Sequence, residues 1–399
     1  MQFALLGSHS DGLQIAQALV ETGRHVLAAY SGPPLLWDSF GLSPGRIIGD
    51  LEEILADPTI DAVIVAGDLS QRPTQLRRAL QSERHVLCVY PPADSPDITY
   101  EAAMMQSDVG RVLLPILTGA LQPAVQRLHE LVQASQPAPA TIRLIEWERS
   151  CAGKSEIPNS KSEIRVSNSE TSEAAYFPGW DVLQALGGPI AEVSAFAEQT
   201  LRGPDEPLLV AGRFETGGIF NAVSLPLSQE RVWRLRLFTS SIQAQLDLSA
   251  SEKVQLTWTD QTSEHHHEEW AAGTGFKEMV RVFEIAVQRY ERAASGEGAP
   301  TGESAQTDLV TWQDAIRAAE LDDAARRSVE RRRASTLDYP EATEEASFKG
   351  TMTLIGCGML WVMLVLLVLS RWFPILLVVI VIMLTVFLCL QILRAIVKK

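Results

Sequence analysis

Cysteine is scarce in this chain of 399 residues: Cys88, Cys151, Cys357 and Cys389, with no C-x-x-C pair among them. That excludes a disulfide framework and the common zinc modules. Positive charge is also short, with 34 Lys and Arg against 49 Asp and Glu. A net charge of −15 repels phosphate backbones, and no basic-plus-aromatic cluster offers a local exception. Nucleic acid is therefore excluded as a partner. Missing too is a basic segment followed by an apolar core near Met1, so no secretory signal is expected. The soluble body is expected to stay in the reducing cytoplasm.

The acidic residues are themselves missing from one region. From Thr351 to Val397 there is none, and the only basic residues are Arg371 and Arg394. Two apolar runs fill that region, Thr351–Ser370 and Phe373–Leu393. Each has about 20 residues, enough as a helix to cross a hydrocarbon core about 30 Å thick. Arg371, Trp372 and Pro374 separate them, a charge, an interfacial aromatic and a helix breaker suited to a turn at the far face. Lys349 precedes the hairpin and Arg394, Lys398 and Lys399 follow it, which places both flanks on the cytoplasmic side. The expectation is an integral membrane protein with transmembrane helices at 351–370 and 373–393, reached through a linker at 334–350. The basic segment Arg326–Arg333 lies close to that face; anionic headgroups or solvent would suit it equally.

The first 120 residues alternate strand and helix signals. Strand candidates are Phe3–Leu6, His25–Tyr30, Ala62–Ala66, His85–Tyr90 and Arg111–Leu114, all continuous apolar or β-branched runs. Such runs suit strands covered on both faces. Amphipathic stretches at Leu13–Thr22, Leu51–Ala56 and Gln75–Gln81 lie between them. Repeated β-α units build a doubly wound parallel sheet, whose ligand crevice lies beyond the carboxyl ends of the strands. From Ala140 the rhythm changes. A polar loop (Cys151–Ser172) and a helix at Trp180–Leu186 come first. Strands follow at Ala191–Ala197, Leu208–Glu215, Ile219–Leu225, Val232–Thr239 and Ala244–Leu248, with a hairpin turn at Glu215–Gly218. This is an α+β pattern with an open, largely antiparallel sheet. Helices are expected at Phe276–Ala294 and Thr311–Arg333.

Several segments in this order carry a resemblance. They are LLGSHSDG after the first strand, DLEEILADPTIDAVIVAG, RALQSERHVLCVYP, DVLQALGGPIAEVSAFAE and the strand series from Phe214 to Leu248. Together they resemble the glucose–fructose oxidoreductase/inositol dehydrogenase (Gfo/Idh/MocA-like) family over roughly Met1 to Ser335. The resemblance implies an N-terminal Rossmann domain at 1–120 and a C-terminal α+β domain at 121–333. It further implies NAD or NADP as cofactor and pairing into a homodimer through the open sheet.

The family's chemistry residues are largely replaced. Its G-x-G-x-x-G loop reads Gly7-Ser8-His9-Ser10-Asp11-Gly12 here, and a side chain at His9 intrudes where the second glycine lets the backbone approach a pyrophosphate. Tyr30 or Ser31 stands for the ribose-binding acid. Ala66-Gly67-Asp68 stands for A-T-P, with a negative charge on the cofactor's path. Tyr90 replaces the lysine of E-K-P, and a phenol of ordinary pKa near 10 suits base chemistry at pH 7 poorly. The H-x-x-D pair reads Pro178 to Asp181, so only the aspartate survives. Tyr90 and Asp181 therefore mark the vestigial catalytic positions, and Gly7, Ser8, His9, Gly12 and Gly67 the degenerate cofactor loop.

Other candidates carry less. Glu264–Glu269 reads EHHHEE, but neighbours in a strand point to opposite faces, so the run is taken as a solvated strand end or loop and no metal centre is assigned. His25 and His85 suit hydrogen-bonded strand starts. Trp180 suits packing under the sheet, with stacking on a sugar as the other reading. The resulting expectation is a membrane-anchored protein of oxidoreductase fold, non-catalytic, that binds a protein partner or ligand. The alternative is an active NAD(P)-dependent oxidoreductase on a sugar-like or polyol substrate, and a third reading is NAD(H) binding without turnover.

Overall fold

A computed structural model describes residues 1–34, 37, 41–134, 141–152, 177, 179–197, 207–228, 232–248, 253–260, 262–295, 310–331 and 335–336. Contacts divide the chain into two units, Met1–Leu337 and Asp338–Lys399, and every described residue belongs to the first. The two expected membrane spans lie outside the described residues. Among those described, no helix is long and apolar enough to cross a membrane.

The N-terminal half is a six-stranded sheet. Its strands are β1 (Gln2–Gly7), β2 (Val26–Ser31), β3 (Arg46–Ile47), β4 (Ala62–Ala66), β5 (His85–Val89) and β6 (Leu113–Ile116). They lie in the order β3-β2-β1-β4-β5-β6, and every pair is parallel. In β4, β5 and β6 every residue is buried, because helices cover both faces. The connecting helices are α1 (Ser10–Glu21), α2 (Leu51–Ala56), α3 (Arg72–Gln81) and α4 (Asp97–Val109). The order reverses between β1 and β4, which sets a crevice beyond Gly7 and Gly67. His25 and His85 are bonded strand starts, as expected. His25 Nε2 lies 2.6 Å from Glu284 Oε1, and His85 Nδ1 accepts from Val112 N at 3.2 Å. Burial pushes His85 down to about 4.

The second half begins with α5 (Pro123–Gln133) and the central strand β7 (Ile142–Ala152), so Cys151 and Ala152, expected in the polar loop, belong to a strand, and the rest of 151–172 lies outside the described residues. The helix α6 (Trp180–Gly187) precedes β8 (Ile190–Ala197), β9 (Leu208–Phe214), β10 (Ile219–Ser228), β11 (Val232–Thr239) and β12 (Gln243–Asp247). Two further strands, β13 (Lys253–Thr259) and β14 (His265–Ala271), extend the sheet. The histidine run is thus an edge strand and not a loop. The order is β14-β13-β12-β11-β7-β10-β9-β8-β15, where β15 is Ser335–Thr336. Only β10 and β7 run parallel; the other pairs are antiparallel. One face packs on helices, and Phe196, Leu209, Ile219 and Leu225 stand exposed.

Two long helices return to the first half. The first, α7 (Thr274–Ser295), buries Met279, Val280, Phe283 and Val287 in the core that holds α1 and β1. The second, α8 (Trp312–Arg331), serves both halves. Its Trp312, Ala315 and Ile316 join the core of the parallel sheet, while Ala318, Leu321, Ala324 and Ala325 join that of the second sheet. Trp312 Nε1 donates to Thr99 O at 2.8 Å, and Ser328 Oγ accepts from Ala195 N at 2.9 Å. Beyond these, Arg326 and Arg327 are paired with Asp323 at 3.4 and 2.7 Å, so two charges of the basic segment are already engaged.

The turn from β1 into α1 is a packing requirement. A Cβ at Gly12 would lie 2.3 Å from Ala66 Cβ, against a fully buried neighbour. Gly12→Ala is expected to lower the unfolding free energy by about 1–3 kcal/mol through overpacking. Urea unfolding measures it, and an unchanged midpoint would mean the glycine is there for some other reason.

Candidate functional site

At the end of β1, Gly7 has φ +104, and a Cβ there would sit 2.2 Å from Ala66 O. No L side chain fits that conformation or that space. His9 follows as the N-cap of α1. Its N–H donates to Ala66 O at 3.0 Å, and its Nδ1 accepts from Asp11 N at 3.2 Å. A helix N-terminus normally offers such N–H groups to a phosphate. Here the imidazole accepts one of them itself, so the loop is capped from within. Ser8 and His9 are half-buried, and Gly12 is buried behind them.

The neighbouring loops are occupied as well. Tyr30 is fully buried, its OH donates to Pro33 O at 2.6 Å, and its ring meets Trp37 edge-on at 4.5 Å. Burial raises its pKa far above the ordinary phenol value. Gly32 packs onto this hydroxyl and onto Gly7, since a Cβ there would lie 2.5 Å from Tyr30 OH and 3.2 Å from Gly7 Cα. The place of a ribose-binding acid is thus taken by an aromatic ring turned into the fold. At the end of β4, Gly67 N donates to Gln75 Oε1 at 3.2 Å, and Gly67 O accepts from Arg72 Nε at 2.8 Å. Asp68 is exposed beside them. These residues do not fit a dinucleotide pyrophosphate: the glycines hold packing contacts, and the cap is taken.

Tyr90 closes β5, and its bond to Pro91 is cis. Its hydroxyl donates to Asp322 Oδ2 on α8. Asp322 Oδ1 accepts from Trp180 Nε1 at 2.6 Å and from Phe177 N at 3.1 Å. Arg72 Nη1 holds Pro91 O at 2.8 Å from the other side. Burial pushes the Asp322 carboxyl up to about 7, against the opposite pull of the Trp180, Tyr90 and Phe177 donors and of Arg326. Tyr90 packs against all three hydrophobic cores of the unit. The Tyr90 hydroxyl thus links the end of β5 to α8.

Asp181 belongs to a separate network. Its carboxylate accepts from Ala120 N at 3.0 Å, and a Cβ at Gly119 would lie only 2.7 Å from its Oδ2. Burial raises it to about 6, opposed by backbone N–H groups of Ala120, Val182, Gly119 and its own. It lines a cavity of about 150 Å³ with Gln184, Asp314 and Arg317. Pro178 lies outside the described residues. Trp180 packs under the sheet as expected, edge-on to Phe177 at 4.8 Å and Phe220 at 6.2 Å. The structure therefore pairs Tyr90 with Asp322, while Asp181 bonds to the loop after β6.

Asp322 and Arg72 were not among the sequence candidates. For Asp322 a signal exists: it follows Ala315 and Ala318 at helical spacing on the buried stripe of α8. Between about pH 4 and 7 the folded chain holds a proton on Asp322 that the unfolded chain, at its ordinary 3.8, has released. Rising pH through that window therefore erodes stability through this group, and Asp181 adds to the effect up to about 6. Asp322→Asn, which keeps an oxygen acceptor, should flatten the fall in urea midpoint between pH 4 and 7. Identical slopes in parent and variant would place the proton elsewhere.

No protein-family model matches the chain, and no curated protein sequence matches it. Solved structures do. GenD2 from gentamicin A biosynthesis, in complex with NAD, aligns with a TM-score of 0.65 at 20% identity, covering 85% of this chain and 97% of that one. Levoglucosan dehydrogenase in complex with NADH gives 0.63 at 15%, covering 85% and 100%. A probable dehydrogenase from Thermotoga maritima gives 0.60 at 16%, covering 84% and 98%. Over its described residues the chain thus has the fold of these dehydrogenases, as the sequence resemblance implies.

Proposed function

We propose that this chain is a non-catalytic relative of the nicotinamide-dependent dehydrogenases whose fold it has, held at a membrane by the apolar hairpin at 351–393. One observation carries the reading: the Tyr90 hydroxyl donates to the buried carboxyl of Asp322. The His9 cap supports it, because an N–H that would meet a phosphate already has an acceptor. The body sits on the cytoplasmic side in this reading, and NAD or NADP binding is weak or lost. Full-length protein in detergent micelles, titrated with NADH and NADPH by calorimetry, tests this. The parent should give no heat, and His9→Gly should gain affinity as the Asp11 N–H is released. Tight binding by the parent, or turnover of a sugar or polyol, would overturn the proposal.

What remains for such a scaffold is its open sheet. Phe196, Leu209, Ile219 and Leu225 are 61, 36, 51 and 37% exposed there. Beside them Arg236 faces Glu146 at 3.8 Å and Arg234 faces Glu148 at 4.0 Å. Apolar area bordered by both signs of charge is suited to a self-complementary contact, so a second copy is the proposed occupant. Phe196→Asp should then convert a dimer to a monomer in light scattering. A parent that is already monomeric would rule this face out.

A further inference from the structure

The hairpin of β13 and β14 brings together three side chains that the sequence pattern alone keeps apart. Asp260 follows β13, Glu264 precedes β14, and His266 is its second residue. Asp260 Oδ1 accepts from Thr262 N at 2.9 Å, Thr262 Oγ1 at 2.6 Å and Glu264 N at 3.3 Å, which turns its other oxygen toward the strand. That oxygen lies 3.5 Å from His266 Nε2. Ser263, at φ +65, tightens the turn. His266 pairs with Trp258 across the ladder, and the two rings stack at 4.9 Å with 16° between planes. One ligand atom each from Asp260, Glu264 and His266 lies within 4.8 Å of the others.

We infer that Asp260, Glu264 and His266 form a binding site for a divalent ion of the zinc class. Bonds of about 2.0–2.1 Å in tetrahedral geometry set donor atoms about 3.4 Å apart. The Asp260–His266 separation of 3.5 Å is close to that value, and a Glu264 oxygen lies within 4.8 Å of both. One imidazole nitrogen with two carboxylate oxygens suits zinc better than calcium or magnesium, which prefer oxygen alone. Asp260 and His266 are each about one-third exposed, which leaves room for water in the remaining position. Two carboxylates held this close repel one another, and a divalent cation relieves that. Arg127 is the nearby cation, over the Trp258 ring, but its guanidinium is paired with Glu268 at 3.1 Å and Glu130 at 3.2 Å. His265 and His267 occupy the opposite face by strand alternation. The objection that adjacent residues cannot converge holds for them, but not for His266 with partners from the turn.

The test is a titration of full-length, chelator-treated protein with Zn²⁺ by calorimetry, and with Co²⁺ followed by visible absorption. One equivalent should bind, and Co²⁺ should give the intense bands of a tetrahedral site. His266→Ala and Asp260→Asn should each weaken binding at least about tenfold, the size that loss of even an outer-shell partner has at metal sites. The double variant His265→Ala/His267→Ala should bind as the parent does. Loss of binding in that double variant would show capture by the exposed histidine run and overturn the site. So would undiminished binding after His266→Ala, or no binding by the parent.

Discussion

A buried carboxylate, Asp322, fastens the two halves of this protein to each other. Removing a charge from water costs several kcal/mol unless donors replace the lost hydration. Asp322 receives three: a phenol from the end of β5, an indole from α6 and the amide of Phe177. Its elevated pKa shows that these donors offset the burial only in part. The helix that carries it contributes side chains to the cores of both sheets. Tyr90, partly buried, packs against all three hydrophobic cores and is bonded to Asp322.

The same economy governs the loop after β1. Gly7 and Gly12 persist because the strand–helix turn passes too close to Ala66 for any Cβ. That need belongs to the fold and is independent of a ligand. His9 lies between these two glycines, and its side chain supplies the cap for the first turn of α1 by accepting from Asp11 N. Arg72, fully buried, ties the loops after β4 and β5 by donating to Gly67 O and Pro91 O. The turn after β1 is thus held by glycine packing and backbone hydrogen bonds, independently of the side chains that the loop presents.

Much of the fold was legible in the sequence. The fully buried β4 and β5 announce themselves as unbroken apolar runs, and the hairpin at Glu215–Gly218 is marked by Gly217, which adopts φ +99. Other elements left weaker traces. Few residues of α4 are buried, so its apolar pattern is indistinct, whereas α5 carries a readable stripe at Val125, Leu128 and Val132. In β14 a strand lies at the sheet edge with polar residues on both faces, and no alternation of apolar and polar residues marks it. The metal-type cluster was missed because one of its members, Asp260, lies across the turn from the histidines.

Composition and periodicity were enough to read most strands and helices, the glycines the turns require, the acidity of the body and the identity of the residues at positions 9, 90 and 181. These are local properties, set by periodicity, backbone conformation and composition. What those side chains touch depends on how the two sheets and their helices pack. Tyr90 could equally have faced a cleft; it meets Asp322, 232 positions away, because α8 crosses from one core to the other. A hydrogen bond between residues so distant has no signature in either segment, since its geometry exists only after both cores have packed.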